Sequence, residues 1–120
     1  MRAARNYPLD VLRRTTVTVA ASATITLQPR VPCLGFKKLV GAIHCTGGTP
    51  AAGFPRVRQF ADQATGDGHT LISILPRDTS QPDTTYVIDV DIKMPYATVE
   101  YVEAGGGGTT IEEAYATLLP

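Results

Sequence analysis

The chain has 120 residues, 43% apolar and 18% charged, with eleven basic and eleven acidic side chains and a formal net charge of zero. That length supports one hydrophobic core, burying roughly two-thirds of the surface of the unfolded chain without a metal or disulfide, and the apolar share argues against disorder. Apolar stretches such as 17–21 and 71–75 are too short to cross a bilayer, and Arg2 and Arg5 near the start are followed by no apolar run, so neither a membrane span nor a secretory signal is expected.

Residues 1–14 lack periodicity and carry four arginines against Asp10, which predicts an extended N-terminal arm ahead of a folded domain over 15–120. From Thr15 to Leu27, Val17, Val19, Ala21, Ala23, Ile25 and Leu27 share one phase and Thr or Ser fill most of the other. Period two with β-branched residues means half-buried strand, either one long bent strand or two short ones. Pro29 and Pro32 are expected to end it, because proline lacks the donor a central ladder needs.

Phe36 to Cys45 places Leu39, Ile43 and Cys45 opposite Val40, Ala42 and His44 and is the expected central strand. A Gly/Pro loop follows, then a strand over Phe54–Phe60, then a polar loop closed by the turn pair Asp67-Gly68. His69 to Leu75 sets Leu71, Ser73 and Leu75 opposite Ile72 and Ile74, and 77–84 reads as loop. Tyr86, Ile88, Val90 and Ile92 then alternate with Val87, Asp89, Asp91 and Lys93, and Ala97, Val99 and Tyr101 with Tyr96, Thr98 and Glu100. After the linker Gly105 to Gly108, Glu112-Glu113-Ala114 suits a helix while Thr109, Thr110, Ile111 and Tyr115 suit a strand, and strand is the expectation. Seven or eight short strands punctuated by turn residues predict an all-β antiparallel sandwich, jelly-roll or immunoglobulin-like.

Residues that carry chemistry are sparse. His44 and Cys45 are adjacent on a strand and point to opposite faces, so they cannot share a metal ion, and no paired spacing of a zinc site is present. Asp62, Asp67, Asp89 and Asp91 lack the spacing of a calcium loop. Asp89 and Asp91 share one strand face and read as a solvated surface whose charge discourages edge pairing. Gly105 to Gly108 lack the lysine and the strand-to-helix context of a phosphate cradle, and Ser22, Ser73 and Ser80 have no nucleophile elbow around them. Neither an enzyme nor a cofactor, metal or small-molecule substrate is expected. Sequence leaves the pairing of Cys33 and Cys45 open; without an export signal, two buried reduced thiols are expected.

Charge is unevenly spread. Residues 1–58 hold nine Arg and Lys against Asp10 alone, a balance of +8, and residues 83–120 hold seven acids against Lys93, a balance of −6. Such polarity suits docking on another protein or on a second copy. Only Arg13-Arg14 and Lys37-Lys38 are adjacent basic pairs, which argues against nucleic acid as partner.

Phe36-Lys37-Lys38-Leu39-Val40, a Gly-rich loop, Phe54-Pro55-Arg56-Val57-Arg58, and Asp67-Gly68-His69-Thr70-Leu71 resemble, in order and character, small β-sandwich virion proteins of tailed bacteriophages. Tyr86-Val87-Ile88-Asp89-Val90 and Tyr96-Ala97-Thr98-Val99-Glu100-Tyr101 are similar to their last strands. The resemblance covers most of 15–103 and brings no catalytic residues. It implies a capsid decoration or cement protein, made in the host cytoplasm and carried on the capsid surface, binding the major capsid protein as a homotrimer. The contact candidates are Arg2, Arg5, Arg13 and Arg14 in the arm, with Lys37 and Lys38, of which at most one serves a given surface. The alternative from another class is a carbohydrate- or receptor-binding module of a phage tail or surface protein, with Tyr96, Tyr101 and Tyr115 as an exposed platform.

Overall fold

The alternating residues form eight strands: β1 (Leu9–Val19), β2 (Thr24–Pro32), β3 (Lys38–Thr46), β4 (Phe54–Phe60), β5 (Thr70–Ile74), β6 (Thr84–Asp91), β7 (Tyr96–Val102) and β8 (Thr109–Leu119). They are seen in a computed structural model that describes residues 7–46, 53–63, 70–78, 84–103 and 109–120; these contain no helix. Every pairing is antiparallel, and the partners follow a simple rule. β1 pairs with β8, β2 with β7, β3 with β6 and β4 with β5. Two further pairings, β3 with β8 and β4 with β7, join these hairpin-like pairs into sheets ordered β1-β8-β3-β6 and β2-β7-β4-β5. A long antiparallel ribbon rolled so that alternate pairs fall in opposite sheets is a jelly roll, which decides between the two sandwich types left open by the sequence. Of the connections, only β4 to β5 stays within one sheet.

The inward phase of each strand is the apolar phase read from the sequence. Val17 and Val19, Leu39, Ile43 and Cys45, Tyr86, Ile88 and Val90, and Ile111, Ala114, Ala116 and Leu118 pack from the first sheet. Leu27, Val57, Ala97, Val99 and Tyr101 meet them from the second. β3 and β8 are the central pair of the first sheet, so the central placement expected of β3 holds, and the final segment is strand throughout. They approach closely at Gly41, where a Cβ would stand 2.0 Å from the Tyr115 carbonyl oxygen.

Two expectations are corrected. Residues 9–14 are not arm: β1 begins at Leu9 and runs beside β8, with Leu12 buried in the core, because Leu9, Val11 and Leu12 supply the apolar positions that the bulge between Asp10 and Leu12 brings into register. Residues 1–6 lie outside the described residues. Pro29 and Pro32 do not end the preceding strand but lie within β2, which among the described strands pairs with β7 alone and carries bulges on either side of Gln28. An edge strand tolerates prolines that a central one would not. Between β1 and β2 the chain turns at 20–23, with Ser22 at φ 56°, so the long alternating stretch is two strands.

Candidate functional site

The sandwich is closed along one side and open along the other. On the closed side β1 and β2 lie in contact, and Arg14 donates from Nη1 to the Thr26 carbonyl at 3.4 Å. On the opposite side, β5 and β6 form the other two sheet edges. They meet where residues 76–78 leave β5: Val87 donates its amide to Pro76 O at 2.9 Å and Asp78 donates to Thr85 O at 2.7 Å. Beyond this junction the edges part around a groove of about 350 Å³. The continuous stretch from Leu71 to Pro76 forms one wall and Asp89, Val90, Asp91 and Lys93 the other.

Gln59 sits beneath the groove with 2% exposure and ties the two sheets together. Its Nε2 donates to Asp91 O at 3.0 Å, and its Oε1 accepts from the amides of Lys93 at 2.7 Å and Met94 at 3.1 Å. All three bonds go to backbone groups where the chain turns from β6 to β7, so one buried amide holds the second wall of the groove.

An unpaired strand edge is a template for another chain, and three of the four edges here carry features that discourage pairing. β1 has exposed Arg13 and Arg14, the Asp10/Leu12 bulge and a left-handed Thr16 at φ 52°. β2 has its two prolines, Arg30 and its bulges. β6 is bridged by 76–78 and carries exposed Asp89 and Asp91. β5, Thr-Leu-Ile-Ser-Ile, has no charge, no proline and an unbroken register with β4. It nevertheless exposes Leu71 at 42%, Ile72 at 53% and Ile74 at 65%.

The outer face of the neighbouring strands is tied together by charged side chains. Glu100, buried on β7, accepts from Arg56 Nε at 2.8 Å and lies 2.9 Å from Arg58 Nε. Phe60 also points outward yet is almost fully buried, because the Arg30 guanidinium lies 3.6 Å from its ring centroid while donating to the carbonyls of Asp62 and Gln63.

The residues singled out for contact do not converge. Arg2 and Arg5 lie outside the described residues. Arg13 and Arg14 stand opposite Tyr115 and Ala114 on β8, whereas Lys38 stands opposite Leu119, several residues along the same strand. Lys38 is bonded to Asp89 at 2.8 Å, with Asp91 3.7 Å away, and Lys37 is exposed. The three tyrosines form no common platform: Tyr96 lies on the outer phase of β7, Tyr101 is fully buried, and Tyr115 is exposed on the other sheet. Asp67, His69, Ser80 and Gly105 to Gly108 fall outside the described residues.

Cys33 and Cys45 are free and buried, and burial raises both thiols to about 11. Cys45 belongs to a buried polar cluster at one end of the sandwich. There the Tyr86 and Tyr101 rings meet edge to face with centroids 6.4 Å apart, and Thr109 donates to Glu103. His44, on the opposite face from Cys45, bonds Thr85 through Nδ1 at 2.8 Å and faces Glu112 at 3.5 Å. Among the described residues no three His, Cys, Asp or Glu side chains are grouped to hold a metal ion.

The exposed β5 edge was not among the sequence candidates. Its apolar residues fall on both phases, and only the strand order reveals that it has one neighbour among the described strands. No protein-family model, curated protein or solved structure matches the chain.

Proposed function

We propose that the chain is a virion structural protein, a capsid decoration or cement protein that binds and stabilises the shell of the major capsid protein through protein contacts and without a cofactor. The observation that carries this reading is the jelly-roll order β1-β8-β3-β6 over β2-β7-β4-β5, an architecture that viral capsid domains use. It supports the reading by fold analogy. A protein that cements needs a rigid body and an adhesive margin, and the paired Arg56, Arg58 and Glu100 and the apolar β5 edge supply one of each. The basic residues Arg2 and Arg5, ahead of β1, are proposed to reach acidic surface on the shell.

Particles purified on a density gradient from cells that encode the chain should contain it in fixed ratio to the major shell protein. Recombinant protein added to particles stripped of it should rebind and raise their melting temperature. Deleting residues 1–6 should weaken rebinding and leave the sandwich folded, since β1 starts at Leu9. Absence from the particles, or no rebinding by the full chain, would refute the proposal.

A further inference from the structure

The hydrogen-bonding direction of β5 can be read residue by residue. Leu75 donates its amide to Pro55 O at 3.1 Å, which makes Leu75 and Pro55 a hydrogen-bonded pair in the register that continues as Ile74 with Arg56 and Ser73 with Val57. Bonding direction alternates along an antiparallel ladder. Leu71 and Ser73 therefore spend their N–H and C=O groups on β4, and Thr70, Ile72 and Ile74 turn theirs to the edge that no described strand covers. Pro76, next in the same phase, spends its carbonyl on Val87, as the alternation requires.

This edge is symmetric about Ile72, and we propose that it pairs with the β5 edge of a second copy of this chain across a two-fold axis at that residue. Ile72 would exchange both backbone bonds with Ile72 of the second copy, and Thr70 with Ile74 in each direction, giving six hydrogen bonds and one continuous eight-stranded sheet. Self-complementary contact of this kind is what a two-fold interface demands, and strand addition takes its affinity from main-chain bonds. The isoleucines agree with it. Ile72 and Ile74 share the outer face, so the four from two copies would cover one another, removing the most exposed apolar side chains of β5 from water.

Charge points to a second copy as the occupant. β5 has none to repel its own image. A five-residue edge buries less than the roughly 800 Å² per partner of a standard interface, so the pairing is reversible and concentration-dependent. The resemblance implies three copies, whereas this edge closes two, and a mass measurement separates them.

The isolated protein is weighed by light scattering or sedimentation from about 10 µM to about 1 mM, the range over which weak pairing appears. The expected mass rises from 12.8 kDa toward twice that value. Ile72→Lys, which sets two ammonium groups side by side at the axis, should remain at the single-chain mass with an unchanged far-ultraviolet spectrum. Ile72→Cys should form a covalent dimer on oxidation, because residues paired at the axis have Cα atoms about 5.5 Å apart, within disulfide reach. Leu71→Cys should not. A single-chain mass throughout, a three-chain mass, or association unaffected by Ile72→Lys would overturn the proposal. None of these assays involves a capsid, so their failure is distinguishable from failure of the cement reading.

Discussion

Replacing Gly41 with alanine adds one methyl group between the two central strands of the first sheet. The new Cβ would stand 2.0 Å from the Tyr115 carbonyl oxygen, 2.8 Å from Ala116 Cα and 2.9 Å from the Tyr115 carbonyl carbon. The closest of these is about 1.4 Å short of ordinary contact, and all three atoms are β8 backbone, so no rotamer change relieves the clash. β8 must move instead, yet it is held by β1 on one side and β3 on the other. Overpacking of this kind typically costs about 1–3 kcal/mol, and a backbone obstacle places Gly41→Ala at the upper end. For a domain of this size about 3 kcal/mol lowers Tm by about 10–15 °C. Urea unfolding followed by circular dichroism measures the difference directly, with Ala42→Ser on the opposite face as the control. A loss below about 1 kcal/mol would mean that Gly41 does not face Ala116, and the β3–β8 register would be wrong.

Gln59→Leu should cost about 2–4 kcal/mol in the same assay, since it leaves the Lys93 and Met94 amides without their acceptor. Glu100→Gln should cost about 2–4 kcal/mol by removing the buried carboxylate charge that Arg56 and Arg58 share, and a neutral result would argue against the ion pairs. Burial raises the Cys33 and Cys45 thiols from 9.0 to about 11, so between these values the unfolded chain loses thiol protons that the folded chain keeps. Stability should therefore be full below pH 9 and fall as pH rises toward 11. Denaturant titrations at pH 8 and pH 10.5 should show the fall, smaller in the double variant Cys33→Ala, Cys45→Ala.

Much of the fold was legible because β-strand burial repeats every second residue. Tyr86, Ile88 and Val90 against Val87, Asp89 and Asp91 divide between core and solvent as their alternation predicts. The limits lay where position in the sheet outweighs local pattern. Pro29 and Pro32 read as strand breakers, and at an edge they are not. Arg13 and Arg14 read as arm because their neighbours Leu9, Val11 and Leu12 reach the right phase only through a bulge. Tyr101 read as a candidate for an exposed platform, although it shares its phase with the buried Ala97 and Val99. The open edge was hidden for the same reason: Leu71, Ile72 and Ile74 look like core residues until the strand order leaves β5 with a single neighbour among the described strands.

The openness of that edge is tested most directly by amide hydrogen exchange followed residue by residue, in dilute protein and again at high concentration. In dilute protein, Leu71, Ser73 and Leu75 should be protected by β4, while Thr70, Ile72 and Ile74 exchange rapidly. At high concentration the second set should become protected and the first remain so. Protection of Ile72 and Ile74 in dilute protein would contradict this, because the edge would already be covered within a single chain.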